Sequence, residues 1–309
     1  MDIPVLFIAF NRPDVTMKVF ERIKAVSPKK LYFAVDGPRM DVLNDFELCN
    51  EVKSIVNLID WDCEIKTLLR DTNIGCKSAV SNAINWFFDS EEFGIILEDD
   101  CVPDTTFFKF CEVLLDKYKN DDQILLISGT NFAELNPPIS SSYYYTKYPR
   151  IWGWATWKRV WKEYDVTISN FEYQDFKKKF SNYFDTRNEL FHWLRNFEKV
   201  KNGEIDTWDI QFSYLAFTTS RISISPTYNL ISNIGFGKNA THTTNEKSFA
   251  NIGTYPMKFP LISPLNKDIN KLAESISNRK EGIQVTFMHY MLKELKRYFT
   301  KFKILQFFI

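Results

Sequence analysis

The sequence predicts an α/β fold built on a mostly parallel sheet flanked by helices, and three observations lead to this prediction. Between residues 3 and 128, short apolar runs alternate with segments whose apolar residues recur at helical spacing. The runs are apolar throughout, as in strands that are buried on both faces of a sheet. Each of the first four runs ends in polar or charged residues. Strand–helix alternation of this kind implies parallel strands joined by right-handed crossovers, which is a Rossmann-like arrangement.

Five strands are predicted in this first part of the chain, with a helix between each pair. The strands are expected at residues 3–10, 31–35, 63–69, 94–97 and 124–128. The first helix is expected to begin near Asp14, whose side chain can cap it. The last helix of the series is expected at 105–118, where aromatic and aliphatic residues recur on one face.

The later part of the chain is predicted to be less regular. The segment 129–150 reads as a long irregular loop, and loops of this length inside a domain are usually functional. A tryptophan-rich stretch at 151–157 is expected to open a helix that reaches Tyr164. Further elements are expected as a charge-rich helical segment at 171–200, a helix at 210–217 and a short strand at 222–224. We therefore divide the chain into one domain, 1–265, with halves 1–128 and 129–265, and a helical C-terminal extension, 266–309.

The composition is that of a globular protein, with 45% hydrophobic and 25% charged residues. Lys plus Arg and Asp plus Glu both number 39, so the zero net charge gives no argument for nucleic-acid binding. The five cysteines are scattered without CxxC spacing and are expected to be reduced, buried thiols rather than zinc ligands. No apolar run is long enough to span a bilayer, so we expect a soluble, cytoplasmic protein.

Three adjacent carboxylates, Glu98, Asp99 and Asp100, follow the fourth apolar run directly. Three acids in a row repel one another at neutral pH, and a positive charge among them would relieve that repulsion. Hard oxygen ligands of this kind suit Mg²⁺ or Mn²⁺. The alternative is a solvated turn after a buried strand. We refer to these three residues as the acid triplet.

The other strand ends also carry polar side chains, and parallel strands bring such ends to one edge of a sheet. Asn11 and Arg12 follow the first run, Asp36 and Arg39 follow the second, and Arg70 follows the third. Ligands of open α/β sheets bind at this edge, so a nucleotide site is expected there. Neither GxGxxG nor GxxxxGK[ST] occurs at the first turn, which disfavours a dinucleotide or P-loop site.

Taken in order, these motifs resemble the glycosyltransferases of the GT-A fold. The resemblance rests on Asn11-Arg12-Pro13, Asp36, Arg70 with Asn73-x-Gly75, the acid triplet, the Trp208-Asp209 pair and Gly-x-x-Ala-Thr-His ending at His242. The EDD form of the triplet is similar to that of inverting N-acetylglucosaminyltransferases. The block 152–157, with 233–235 and 240–242, resembles bacterial transferases encoded with surface-polysaccharide genes. The likeness covers about residues 3–245.

The resemblance implies a role for each matching residue. Asp100 and His242 would ligate the metal, and the imidazole would favour Mn²⁺ over Mg²⁺. Asp209 would be the catalytic base, with Asp206 as the runner-up. Contacts to the donor nucleotide would come from Phe10, Asn11, Arg12, Asp36, Arg39, Arg70, Asn73, Gly75, Lys77, Glu98 and Asp99. Contacts to the acceptor would come from Trp152, Gly153, Trp154 and Trp208. The alternatives are a loop histidine at 242, a turn-forming Asp36 and tryptophans that only fill the core.

The predicted function is therefore a metal-dependent, inverting glycosyltransferase. It would move a sugar from a nucleotide-sugar donor, a UDP-sugar, to a saccharide or polyprenyl-diphosphate-linked acceptor in bacterial capsule or lipopolysaccharide synthesis. Residues 1–128 would bind the donor and 129–265 the acceptor. The basic, aromatic tail 293–309 suits peripheral contact with the inner membrane face, or packing on the domain or a second subunit. A retaining enzyme, a sugar nucleotidyltransferase and a non-catalytic membrane- or partner-binding protein are the alternatives, and the oligomeric state is left open.

Overall fold

An eight-stranded mixed sheet organises the computed structural model, which describes residues 1–135, 138–236 and 251–283. The strands are β1 (Val5–Ala9), β2 (Lys30–Val35), β3 (Glu64–Leu69), β4 (Phe93–Glu98), β5 (Cys101–Pro103), β6 (Ile124–Ser128), β7 (Tyr143–Thr146), β8 (Trp154–Trp157), β9 (Ile222–Pro226) and β10 (Ile231–Asn233). The order in the large sheet is β3-β2-β1-β4-β8-β6-β9-β7. Strands β5 and β10 pair separately as a small antiparallel sheet.

Helices flank the large sheet. They are α1 (Pro13–Val26), α2 (Asp45–Ser54), α3 (Cys76–Ser90), α4 (Thr106–Lys117), α5 (Lys158–Trp161), α6 (Tyr173–Lys179), α7 (Arg187–Lys201), α8 (Asp209–Thr219) and α9 (Lys271–Lys280). Helix α1 begins with Pro13, a residue that suits a first turn because the amide there lacks an intrahelical partner. The observed architecture confirms the predicted α/β fold with a mostly parallel, Rossmann-like sheet.

The four parallel strands β3, β2, β1 and β4 match the prediction closely. Strand β1 pairs with β2 on one side and with β4 on the other, and β2 pairs with β3. All five residues of β1 are buried, as expected for a central strand covered on both faces. Since the four strands run in one direction, their carboxyl ends lie along one edge of the sheet.

The prediction that the tryptophan-rich stretch after 151 opens a helix is wrong. Residues Trp154–Trp157 form β8, which runs antiparallel between β4 and β6. All four residues are buried, and β-branched and aromatic side chains of this kind fit a pleated surface. The helix follows only at α5.

Two other stretches in the later part of the chain differ from the prediction: one contains a strand, and the other is broken into two helices. The expected loop 129–150 contains β7, whose four residues are buried against β9. The expected helical segment 171–200 is two helices, α6 and α7.

All five cysteines are free thiols; Cys49, Cys101 and Cys111 are buried, whereas Cys63 and Cys76 are half-buried.

The C-terminal extension is described as far as residue 283. Its helix α9 packs on β7 through a small apolar cluster with Ala133, Tyr144 and Ala273. Beside this cluster, the buried carboxylate of Glu274 accepts hydrogen bonds from the Thr146 hydroxyl (2.8 Å) and the Lys147 amide (2.6 Å). The basic, aromatic tail 293–309 lies outside the described residues. No helix in the described ranges has the length and apolarity needed to cross a bilayer.

Candidate functional site

The acid triplet lies at the carboxyl end of β4, beside the end of β1. Because Ile8 of β1 is in register with Glu98 of β4, the residues that follow the two strands are neighbours. The Arg12 guanidinium donates to both carboxylate oxygens of Asp99 and, through Nη2, to Asp100 Oδ2 at 3.0 Å. The structure thus brings together two of the predicted strand ends.

The three carboxylates of the acid triplet carry more negative charge than the Arg12 guanidinium can neutralise. Asp99 is 4% exposed, and burial raises its pKa to about 6 although the Arg12 charge opposes this shift. The pKa of Glu98 is raised well above its usual range by burial and by the charges of Asp100 and Asp99. Added positive charge beside these carboxylates would offset the cost of burying them in ionised form.

Asp209, far along the chain, belongs to the same cluster. It is the first residue of α8, and its carboxylate accepts a hydrogen bond from the Thr207 hydroxyl. Its charge also contributes to the raised pKa of Glu98. The side chain of Asp206 lies against Gly75, where an added Cβ would come within 3.0 Å of Asp206 Oδ2. Asp209 therefore lies close enough to the triplet to act on Glu98, whereas Asp206 lies beside Gly75, and the roles of both stay predictions.

The Cys76 thiol lies close to several acids of this site. The thiol is at the start of α3, and its pKa is raised first by burial. The charges of Glu98, Asp206 and Asp209 raise it further. The thiol is therefore protonated at neutral pH and is not a nucleophile.

Asp36, at the end of β2, organises the turn that follows β3. Its carboxylate accepts hydrogen bonds from the Gly37 amide (2.9 Å), the Asn73 side-chain amide (2.9 Å) and the Ile74 amide (3.3 Å). Arg70 Nε lies 3.9 Å from the same carboxylate. Burial raises the pKa of Asp36, although the Gly37 and Ile74 amides oppose the shift. The predicted residues Asp36, Arg70 and Asn73 thus form one connected group.

The sequence prediction missed Asp45. This residue holds Asn11 and Arg39, two residues that were predicted to contact the donor nucleotide. Asp45 is 1% exposed and accepts hydrogen bonds from the Asn11 amide (2.6 Å) and from Arg39 Nε (2.6 Å) and Nη2 (3.0 Å). The Arg39 guanidinium lies over the Phe10 ring, 5.2 Å from its centre. Asp45 follows Asn44 at the start of α2, where an acid is ordinary, so no local pattern signals this role.

The segment after β10 closes on Asp100. The Asn233 side-chain amide donates to Asp100 Oδ1 at 3.3 Å, and the Ile234 amide donates to the Asp100 carbonyl at 2.9 Å. An added Cβ at Gly235 would collide with the Asp100 carboxylate. No local sequence pattern predicts this contact of residues 233–235 with the triplet.

Of the two predicted metal ligands, Asp100 lies within the described residues. His242 lies outside the described residues, and among those described no three His, Cys, Asp or Glu side chains form a ready-made metal cage. The donor chemistry of Asp100 nevertheless fits Mg²⁺ or Mn²⁺, since such ions are often held by one or two carboxylates together with substrate phosphates. Lys77 is half-buried in the first turn of α3.

Some residues that were predicted to bind the acceptor are buried in the core, and Trp152 is half-buried. The rings of Trp154 and Trp208 stack with centres 5.8 Å apart, and both side chains are buried in the core. Trp152 is half-buried and packs edge-on against Phe132 and Phe236. Gly153 has a φ of +58°, and an added Cβ there would meet Ile231. An acceptor role for all four stays a prediction.

Comparison with known proteins identifies no family for this chain. Neither the protein-family models nor the curated proteins contain a match to this chain. Among solved structures, the chain is similar to HddC from Yersinia pseudotuberculosis, at 9% identity over 52% of this chain and 80% of that one, with a TM-score of 0.31. It is also similar to mannose-1-phosphate geranyltransferase from Thermus thermophilus, at 12% identity over 73% of this chain and 74% of that one, with a TM-score of 0.32.

Proposed function

We propose that this chain is a metal-dependent glycosyltransferase of the GT-A type that uses a UDP-sugar and inverts the anomeric centre. One observation carries the proposal: the ends of β1 and β4 bring Arg12 and the acid triplet together, and the start of α8 adds Asp209. The chain runs from β1 outward to β3 and then returns to β4 on the other side of β1. The triplet therefore lies at the point where the strand order reverses, which is where open α/β sheets bind ligands.

The nucleotide part of the donor would occupy the ends of β1 and β2. Asp36 is buried and close to Arg70, and it can accept a hydrogen bond from a base N–H, which suits uridine. Asn11 and Arg39, both fixed by Asp45, lie next to Phe10 and would line the same end of the site. Gly75 and Lys77, at the start of α3, would meet the donor from the β3 side.

The diphosphate would lie at the triplet. A divalent cation bound there would stabilise the charge of the departing diphosphate as a Lewis acid. Asp100 would hold it, and the placement of Asn233 and Gly235 fixes the Asp100 carboxylate from the opposite side. Arg12 would orient Asp99 and Asp100 toward the ligand, with Glu98 and Asp99 near the ribose. His242 is proposed as a second metal ligand on its sequence motif.

The acceptor hydroxyl would be deprotonated by Asp209 as it attacks from the face opposite the leaving diphosphate. Thr207 donates to the Asp209 carboxylate and so fixes one of its oxygens, leaving the other to accept a proton. Trp152, half-buried beside Phe236, would contact the acceptor sugar. We propose a saccharide or polyprenyl-diphosphate-linked saccharide of a bacterial surface polysaccharide as that acceptor, used by a cytoplasmic enzyme at the inner membrane face.

Nucleotide binding tests this proposal directly. We expect UDP with Mn²⁺ to raise the melting temperature more than UDP alone, GDP or CMP does. Asp100→Asn should remove the Mn²⁺-dependent part of the shift, because it removes the proposed ligand charge. Asp89→Asn, which changes an exposed carboxylate of α3, is the matched control and should keep the full shift.

Two results would count against the proposal. One is the absence of any shift with UDP and Mn²⁺. The other is formation of a nucleotide-sugar from a nucleoside triphosphate and a sugar 1-phosphate, which would make the chain a sugar nucleotidyltransferase.

A further inference from the structure

A cavity lies on helices α6 and α7, and none of the proposed donor, metal or acceptor residues lines it. Its volume is about 790 Å³, which is within the roughly 300–1,000 Å³ of typical small-molecule sites. Its walls come from α6, from the connection to α7 and from the first turns of α7. The cavity is therefore a separate candidate binding site.

All charged residues that line this cavity are positive. They are Lys177 and Lys178 of α6 and Arg187 at the start of α7. Within residues 1–135, 138–236 and 251–283, none of the three forms an ion pair with a carboxylate. Three uncompensated cations around one cavity favour an anionic ligand.

Two acids close in sequence to Arg187 are engaged elsewhere. Asp185 pairs with Lys147 at 3.2 Å and with Lys271 at 3.6 Å. Glu189 is buried and accepts a hydrogen bond from the Tyr148 hydroxyl at 2.9 Å. Asp175 of α6 is exposed and does not line the cavity, so the charged lining is positive.

The cavity also offers apolar and hydrogen-bonding surface. Leu190 and Phe191 provide its apolar wall, and the Lys177 ammonium lies 5.6 Å from the centre of the Phe191 ring. Gln174 and Ser181 add an amide and a hydroxyl. A ligand that combines an anion with an apolar or polyol part would meet all three kinds of surface.

We infer that this cavity binds a phosphate ester, with the phosphate between Lys177, Lys178 and Arg187. Arginine forms paired, charge-assisted hydrogen bonds to phosphate oxygens, and lysine adds point charge. The same chemistry is present in the head group of an anionic phospholipid and in a soluble sugar phosphate. This site is independent of the proposed sugar transfer.

The test compares both sources of phosphate on the full chain. Glucose 1-phosphate is titrated by calorimetry, and phosphatidylglycerol–phosphatidylcholine vesicles are compared with phosphatidylcholine vesicles by co-sedimentation. The variant Lys177→Gln/Lys178→Gln/Arg187→Gln should weaken binding of at least one source about tenfold or more, since it removes three charge-assisted contacts. Binding of the sugar phosphate identifies a soluble ligand, and binding confined to the anionic vesicles identifies a lipid.

The control removes the same charge outside the cavity. Lys18→Gln/Lys179→Gln/Lys258→Gln changes three exposed lysines and should leave binding within about twofold. Equal losses in the two triple variants, or no binding of either source by the unaltered chain, would overturn the inference. The melting-temperature shift with UDP and Mn²⁺ should be the same in both variants, which separates this site from the proposed transfer site.

Discussion

At the scale of single residues, Arg12 sets the charge state of the candidate site. Its guanidinium contacts Asp99 and Asp100, yet the pKa of Asp99 remains raised to about 6 and that of Glu98 is raised well above its usual range. One cation is therefore insufficient for the carboxylates gathered there. A divalent cation beside the triplet would supply positive charge that Arg12 alone does not provide, and it would lower the pKa of both carboxyls.

The role of Asp209 gives a prediction at this scale. Asp209→Asn keeps the shape of the side chain and its contact with Thr207 but removes the proton acceptor. Sugar transfer should fall by roughly 10²–10⁴-fold, the usual contribution of a positioned base, while the UDP–Mn²⁺ melting shift is kept. The measurement is UDP release from UDP-sugars in the presence of saccharide acceptors. Asp206→Asn is the companion variant, and loss of transfer there with retention in Asp209→Asn would reassign the base.

Asp45 gives a second residue-scale prediction, on pH dependence. The hydrogen bond from Arg39 lowers the pKa of Asp45 below its value in the unfolded chain. A lowered pKa stabilises the folded protein above the unfolded value and loses that contribution as the pH falls below about 4. Asp45→Asn should therefore lower the free energy of unfolding by about 1–3 kcal/mol at pH 7, with a smaller difference near pH 3.

Urea unfolding at pH 7, 5 and 3 measures this effect. Asp89→Asn, on the exposed side of α3, serves as the control and should change stability little at any of these pH values. A difference for Asp45→Asn that stays constant over the range would show that its charge is not what holds Arg39 and Asn11.

At the scale of elements, the parallel strands could be predicted and the antiparallel ones could not. Each parallel strand is a local apolar run followed by polar residues, so its position and direction can be inferred from nearby sequence. Strand β8 is different, since its place is decided by pairing with β4 and β6, which lie elsewhere in the chain. Its four residues carry no alternation that would separate a buried strand from a buried helix.

The candidate site shows the same division between local and long-range information. Asp36 and the acid triplet can be placed at the sheet edge because they end predicted strands. The contact of Gly235 with Asp100, and of Asp45 with Arg39, depends on connections that no local pattern reveals. The position of His242 stays a prediction because it lies outside the described residues.

The segment after β10 gives a prediction at the element scale. Gly235→Ala places a methyl group where the Asp100 carboxylate lies, so either Asp100 or the segment 233–236 must move. We expect the Mn²⁺-dependent UDP shift to be lost while the melting temperature without ligand changes by only a few degrees. Gly253→Ala is the matched control, since no atom lies within 4 Å of the added methyl group. An unchanged shift in Gly235→Ala would show that the contact does not matter for the metal.

At the scale of the whole molecule, the described part of the C-terminal extension packs on the main sheet. Helix α9 adds the Glu274 carboxylate to a buried group with Thr146 and Lys147, and Lys147 Nζ lies 3.5 Å from that carboxylate. Burial raises the pKa of Glu274, although the Lys147 charge opposes the shift. The described part of the extension is thus part of the core packing of β7.

Truncation tests this view of the whole molecule. A chain that ends at residue 265 would remove the Glu274 carboxylate from the Thr146 hydroxyl and the Lys147 amide, and would expose Tyr144, which packs near Ala273. Asp185 would remain as the ion-pair partner of Lys147, so we expect a loss of about 1–3 kcal/mol of stability, the cost of buried polar groups left without a hydrogen-bond partner. A chain that ends at residue 283 keeps α9 and should retain most of the stability in urea unfolding. Equal stability of the two chains would contradict this account.

The insertion of β8 also bears on how the protein forms during synthesis. One edge of β4 pairs with β1, whereas its other edge stays unpaired until β8 forms. During synthesis, that apolar strand edge would therefore stay unpaired until residues 154–157 emerge from the ribosome. Unpaired edges recruit other chains, so this interval is the stage of synthesis at which aggregation is most favoured. The negative charge of the acid triplet at the end of β4 would help to keep the unpaired strand in solution.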